Sequence, residues 1–238
     1  MKGIILAAGR GSRLGDISEG KPKCMISLNQ KPLINYQIDS MLNNGISDIA
    51  VVTGYLKNKV KHEKITKIYE NKIWSETNMV YSLLMADEWL SNFECIVSYG
   101  DIFYPPSAVS DLCKSTNHIS VLYDINFKAL WSKRFDNPLE DLETFIINHS
   151  KHLTEIGNKP KNYHEIMGQF MGLLKITPNG WNDIKLHISK SKMKKIDVTK
   201  MLSLMIEKKY IIAGVEFNGI WGEIDIPSDI KLYEGQNE

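Results

Sequence analysis

Residues 4–8 of the chain, Ile-Ile-Leu-Ala-Ala, are apolar at every successive position. A strand with one wet face alternates apolar and polar side chains, so a run apolar on both faces reads as a strand buried inside a parallel sheet. The pattern that follows extends this unit. Pro32 opens a helical spacing of Leu33, Ile34, Ile38 and Leu42, and Gly45 stands where that spacing stops. Residues 48–54 and 65–71 then read as a second and a third strand, 77–90 as an amphipathic helix, and 94–101 as a buried strand ending at an acid. Strands alternating with helices predict an α/β fold with a doubly wound, mainly parallel sheet. The later half is more mixed. Residues 118–124 and 170–177 read as strands and 198–209 as a helix, while the segments on either side of Asn218-Gly219 read as the arms of a hairpin. A small antiparallel section attached to the parallel sheet is expected from these.

No repeat, linker or low-complexity tract divides the 238 residues, so one domain over 1–238 is expected. Lys and Arg number 29 against 28 Asp and Glu, a formal charge of +1 that gives no global field for nucleic acid or a membrane surface. No apolar stretch approaches the roughly 20 residues a membrane span needs. Cys24, Cys95 and Cys113 lack metal-like or disulfide-like spacing, which suits a reducing compartment. A cytoplasmic protein without nucleic-acid or membrane partners is expected. A homodimer is compatible with the sequence and nothing in it specifies one.

The connection after the first strand bears on chemistry. Gly9, Gly11 and Gly15 let backbone N–H groups approach anionic oxygens, and Arg10, Arg13, Lys21 and Lys23 add four cations. A dinucleotide loop needs a third glycine where Leu14 stands, and an acid closing the second strand, where the chain has Thr53-Gly54. A P-loop needs Gly-Lys followed by Ser or Thr, which is absent. What remains is a long cationic loop, suited to gripping a triphosphate and stabilising departing pyrophosphate.

The residues Leu6, Ala7, Ala8, Gly9, Gly11, Arg13 and Leu14, with Pro22 and Lys23 downstream, resemble the signature of the nucleoside-triphosphate transferase family, which makes nucleotide-activated sugars and small phosphorylated molecules. The resemblance implies a Rossmann-like nucleotidyltransferase fold. It assigns Arg13 and Lys23 to catalysis and Leu6, Ala7, Ala8, Gly9, Arg10, Gly11, Ser12, Asn78, Ser82 and Gly100 to the nucleotide, with Ala8 and Gly9 meeting the base through their backbone. Attack on a triphosphate calls for a divalent ion, because negative oxygens shield the α-phosphorus, and Mg²⁺ takes one or two protein carboxylates. Asp101 and Asp225 each follow an apolar strand, where ligands gather in open α/β sheets, and family aspartates at those places hold the metal. Glu223, two residues before Asp225, ranks behind them. No activated serine or histidine is needed, because a phosphate monoester is already a nucleophilic anion.

Residues 130–145, 155–160 and 163–181 are similar to a subgroup of small bacterial cytidylyltransferases related to CTP:phosphocholine cytidylyltransferase, and closest to members acting on phosphorylated amino-acid derivatives, including the phosphoglutamine enzymes of capsule modification. This implies CTP as nucleotide and a small phosphorylated acceptor, with pyrophosphate released. Lys133 and Arg134 beside Glu140 and Asp141 place both signs together, as a zwitterionic acceptor requires, and Trp131, Glu165 and Gln169 join them as acceptor contacts. Trp131, Tyr163, Trp181 and Trp221 supply the rings for a cage around a quaternary ammonium, the phosphocholine alternative. A solvated surface loop laced with ion pairs explains residues 130–141 equally well by their chemistry alone. A sugar-1-phosphate nucleotidyltransferase using another nucleoside triphosphate is the competing reading. The basic run 190–195 is expected to be a solvated loop.

Overall fold

The computed structural model describes residues 1–234; the last four residues of the expected domain lie outside the described residues. Seven strands form the central sheet: β1 (Lys2–Ala7), β2 (Ile49–Thr53), β3 (Lys67–Glu70), β4 (Cys95–Tyr99), β5 (Ile119–Asp124), β6 (Gln169–Ile176) and β7 (Ala213–Phe217). Their spatial order is β7-β5-β6-β4-β1-β2-β3. β1 pairs parallel with β2 and β4, β2 with β3, and β5 with β7, whereas β6 runs antiparallel between β4 and β5. The sheet is therefore mainly parallel, as the buried apolar runs imply.

Successive residues of β1 feed opposite layers. Ile4 and Leu6 pack with Val52, Val97, Val80, Leu83 and Trp181 on one face. Ile5 and Ala7 pack with Val51, Ile96, Ile34, Ile38 and Met41 on the other. The chain winds outward from β1 through β2 to β3, then returns across to β4 on the opposite side of β1. The reversal opens a crevice between the C-terminal ends of β1 and β4, the place where open α/β sheets bind ligands.

Several local expectations change. Asn218-Gly219 makes no hairpin, because a two-residue turn of that type needs positive φ at both positions and neither residue has it. Instead β7 ends at Phe217, and Gly222–Glu223 pairs antiparallel with Ile102–Phe103 beside the crevice. The 77–90 helix is interrupted at Ala86 (φ −91°, ψ 19°), giving helices Met79–Met85 and Asp87–Leu90. The long loop after β1 contains 3₁₀ turns at Ser12–Ser18 and Lys23–Met25. Residues 127–134 form a helix, which overlaps the stretch 130–141 whose chemistry also suited a surface loop. The basic run also holds a short helix, Lys190–Met193, anchored by buried Met193. No helix among the described residues is long and apolar enough to cross a membrane.

Candidate active site

A cleft of about 310 Å³ occupies the crevice. Its lining includes Leu6, Ala7, Ala8, Gly9, Gly100, Asn78 and Ser82 together with Gly11, Ser12, Arg13, Lys23, Asp101 and Asp225. These thirteen come from the ends of β1 and β4, the cationic loop, the start of helix Met79–Met85 and the segment after Gly222–Glu223. The fold thus joins residues more than two hundred positions apart. Arg10 lies outside this lining; it is exposed, its guanidinium carbon 5.7 Å from the Tyr55 ring centre.

Local conformation explains how Lys23 reaches the centre. Gly11 has φ 71°, and a Cβ there would sit 3.0 Å from Lys23 Cγ, so the glycine clears a path for the lysine stem. Lys23 Nζ then lies 2.6 Å from Asp101 Oδ2 and also bonds Asp225 Oδ1. Arg13 adds a 2.8 Å contact to Asp225 Oδ2. Burial alone would lower the Lys23 pKa, but the two carboxylates outweigh it and hold the ammonium charged far above its ordinary range. Burial likewise pushes Asp225 upward, yet Lys23 and Arg13 overcome this and keep its carboxyl below the usual range. Lys23 and Asp225 thus hold each other in their charged forms.

Two features of this cluster suit a divalent cation. The carboxylates of Asp101 and Asp225 converge on a single positive centre, the Lys23 ammonium, and Asp101 Oδ1 is buried without a hydrogen-bond partner. No group of three or more His, Cys, Asp or Glu that could hold a metal occurs among the described residues. Two hard carboxylates are nonetheless the usual protein share for Mg²⁺, whose other ligands are waters and phosphate oxygens. The donor set therefore fits that ion.

Residues two apart on a strand share a face, and the Glu223 carboxyl accordingly senses both Asp225 and Asp101, against the lower rank given to it. Burial raises its pKa; Asp225 and Asp101 add to the rise against the opposing pull of Arg134. Arg134 Nη1 donates to Glu223 Oε1 at 2.6 Å, and Arg134 Nε donates to Asp229 Oδ1 at 2.9 Å. The Arg134 side chain is 0% exposed. It cannot meet a substrate carboxylate in this conformation, which corrects the expectation that Lys133 and Arg134 form an exposed zwitterion site.

None of the seven expected acceptor contacts lines the cleft. Trp131 is buried and donates its indole N–H to Asp141 Oδ2 at 2.9 Å. Lys133, Glu140 and Asp141 are exposed. Glu165 accepts the Lys161 backbone N–H at 2.8 Å. Gln169 is buried and clamps the Glu143 backbone, donating to its carbonyl at 2.7 Å and accepting its N–H at 3.4 Å. The expected aromatic cage does not assemble either: Trp181 is 0% exposed in the core, and Trp131 and Trp221 are buried with ring centres 6.3 Å apart.

Cleft residues that the sequence reading did not single out are Cys24, Trp74, Thr77 and Met79. Trp74 and Thr77 belong to an irregular stretch between β3 and the next helix, where no periodicity marks a residue. An aromatic ring in a stretch that follows a strand's C-terminal end is the one signal available there. Asn78 lines the cleft and also caps the helix, its side chain accepting the Met79 N–H.

Residues 3–140 match the model of the MobA-like NTP transferase domain family. Over its full length the chain is similar to a CTP:phosphoglutamine cytidylyltransferase from Campylobacter jejuni, with 33% identity covering 98% of both chains. It is also similar to a choline-phosphate cytidylyltransferase from Streptococcus pneumoniae, with 37% identity over 49% of this chain and 52% of that protein. Among solved structures, the inositol-1-phosphate CTP transferase of T. maritima superposes with a TM-score of 0.78 at 22% identity, covering 98% of this chain and 93% of that one, a likeness of fold.

Proposed function

Because the chain belongs to the family of MobA-like NTP transferase domains, we propose that it is a Mg²⁺-dependent cytidylyltransferase that joins CMP from CTP to a small phosphorylated acceptor and releases pyrophosphate. What carries the reading is one juxtaposition: Arg13, Lys23, Asp101 and Asp225 contact one another in a cleft that Ala8, Gly9, Gly100 and Ser82 also line. The second group suits a nucleoside. The first suits a triphosphate at the point of transfer.

In this reading an oxygen of the acceptor phosphate attacks the α-phosphorus, a new P–O bond forms, and the bond to the bridging oxygen of the β-phosphate breaks. No side chain has to remove a proton from the nucleophile. Lys23 neutralises charge on the transferred phosphoryl group, and Arg13, 65% exposed at the cleft mouth, neutralises the departing pyrophosphate. Asp101 and Asp225 would hold Mg²⁺, which supplies further charge neutralisation on the phosphate oxygens when bound. Glu223 is kept from joining them by its bond to Arg134.

The acceptor proposed is a phosphorylated amino-acid derivative of the phosphoglutamine kind, with phosphocholine second, and the product would serve capsule or surface-polysaccharide modification in the cytoplasm. Similarity to the Campylobacter protein along the whole chain supports that order. The test measures pyrophosphate release with CTP and Mg²⁺ against phosphoglutamine, phosphocholine and sugar 1-phosphates. Release that requires CTP and one of the first two is expected. Faster turnover of a sugar 1-phosphate with UTP, dTTP or GTP would replace this reading with the sugar-nucleotide alternative.

A further inference from the structure

Asn71 follows β3 and is 0% exposed, its backbone N–H donating to the Thr53 carbonyl at 2.8 Å. The orientation of its side-chain amide is fixed by chemistry. The Ile73 backbone N–H needs an acceptor and meets Asn71 Oδ1 at 3.2 Å, so the amide nitrogen must face the other way. That nitrogen donates one hydrogen to Thr77 Oγ1 at 2.9 Å and the other to Ser82 Oγ at 3.0 Å. Thr77 passes its own hydrogen to the Ile73 carbonyl at 3.0 Å. Ser82 therefore accepts from Asn71 and retains a hydroxyl hydrogen for which the described residues offer no acceptor. Ser82 is buried to within 5% of its surface and lines the cleft.

A hydroxyl normally rotates to suit either a donor or an acceptor. Here one lone pair is taken by a buried amide whose flip is set by the backbone; a second lone pair remains, but the hydroxyl hydrogen meets no acceptor among the described residues, so donation into the cleft is the arrangement that leaves no buried hydrogen unpaired. Pyrimidines differ at the matching position: cytosine N3 is an acceptor, whereas uracil N3 carries a hydrogen. A site built to hydrogen-bond one pattern leaves a buried polar group unpaired against the other.

Resting on the reading of the cleft as a CTP site, we propose that Ser82 donates its hydroxyl hydrogen to cytosine N3 and that Asn71 is the positioning residue that sets this polarity. Base selection is then made by a residue that never touches the base. Asn71→Asp reverses the polarity, because a carboxylate at that place accepts the Ser82 hydrogen and turns a hydroxyl lone pair toward the cleft.

The test is calorimetric binding of CTP and UTP, each with Mg²⁺ at pH 8, to the full chain and to Asn71→Asp, Ser82→Ala and Ser82→Thr. Folding of each variant is checked by thermal melting. The expected result is a CTP-over-UTP affinity ratio that falls about tenfold or more in Ser82→Ala, is kept in Ser82→Thr, and falls with a gain in UTP affinity in Asn71→Asp. A purely structural Asn71 would lower the melting temperature and leave the ratio of the folded protein unchanged, which would overturn its role. An unchanged ratio in Ser82→Ala would overturn the Ser82 contact, and this variant decides that point even if Asn71→Asp does not fold. Equal binding of CTP and UTP by the unaltered chain would instead sink the CTP reading itself.

Discussion

Arg134 and Asp229 meet in a two-pronged ion pair, Nε to Oδ1 at 2.9 Å and Nη2 to Oδ2 at 3.2 Å, with both side chains buried. The same Asp229 carboxylate accepts the backbone N–H groups of Asp225 and Ile226 at 2.7 and 3.0 Å. The pair thus fixes the turn that carries Asp225 into the cleft. A lone buried Asp229 would be costly in that position. With Arg134 it becomes a rigid support one step behind the centre.

Arg134→Met leaves Asp229 and Glu223 without their counter-charge. Breaking one side of a buried pair costs about 3–5 kcal/mol, and that loss of unfolding free energy is expected in urea titration. Arg134→Lys keeps the charge but cannot supply the planar fork, so a smaller loss is expected. If Arg134→Met cost less than about 1 kcal/mol, the pair would not be the support described.

Lys23 makes a pH-dependent contribution whose sign follows from its partners. The Asp225 carboxyl is depressed in the folded chain, so its pairing stabilises above the unfolded aspartate value of about 3.9 and is lost as pH falls through the lower folded value. The Lys23 ammonium is raised, so its share is present below about 10.4 and is lost only above that. The stability gap between the unaltered chain and Lys23→Met is therefore expected to be widest between about pH 5 and 9 and to close below pH 4. Melting curves across that range decide it, and a gap that widens in acid would contradict the assignment. Mg²⁺ should also raise the melting temperature more in Lys23→Met, where Asp101 has lost the Lys23 ammonium and Asp225 keeps only Arg13.

The layout of the sheet was legible because its evidence is local. Apolar runs such as 4–8 and 95–97 have one place to go in an α/β fold, and the cationic loop advertises its charge by composition. Asp101 and Asp225 were legible for a related reason, since each follows an apolar strand. The acceptor stretch misled because adjacency in sequence was taken for adjacency in space. Lys133 is exposed while Arg134 turns inward to partners 89 and 95 residues away. A side chain committed to such distant partners has no periodic signature. Asn71 was hidden likewise, because its role lies in which hydroxyls fold back onto it.

Gly100 tests how tightly the cleft is built where β1 and β4 end. A Cβ there would lie 2.6 Å from the Leu6 carbonyl oxygen and 3.2 Å from Ala7 Cα, both backbone atoms that no rotamer change can clear. Gly100→Ala must therefore separate the ends of β1 and β4, with a stability loss of about 1–3 kcal/mol and weaker CTP binding. Unaltered CTP affinity would mean that the close approach of the two strands is not what shapes the cleft.

Asp101→Asn separates chemistry from folding. Asp225 keeps Lys23 paired in this variant, so the fold should survive with a melting temperature near that of the unaltered chain. Asparagine is isosteric, but it removes the negative charge, and with its amide oxygen kept for the Lys23 ammonium its NH2 donor takes the place where Asp101 Oδ1 now lies buried without a partner. In the proposed reaction the cation would then have one carboxylate in place of two, and the pyrophosphate-release assay should show kcat/KM down by about a hundredfold or more, roughly 2.7 kcal/mol of transition-state stabilisation. Asp225→Asn should lose a comparable factor of activity and, because Arg13 and Lys23 both lean on it, more stability than Asp101→Asn does. Turnover retained in both variants would remove the two aspartates from the reaction and leave them as counter-ions to Lys23.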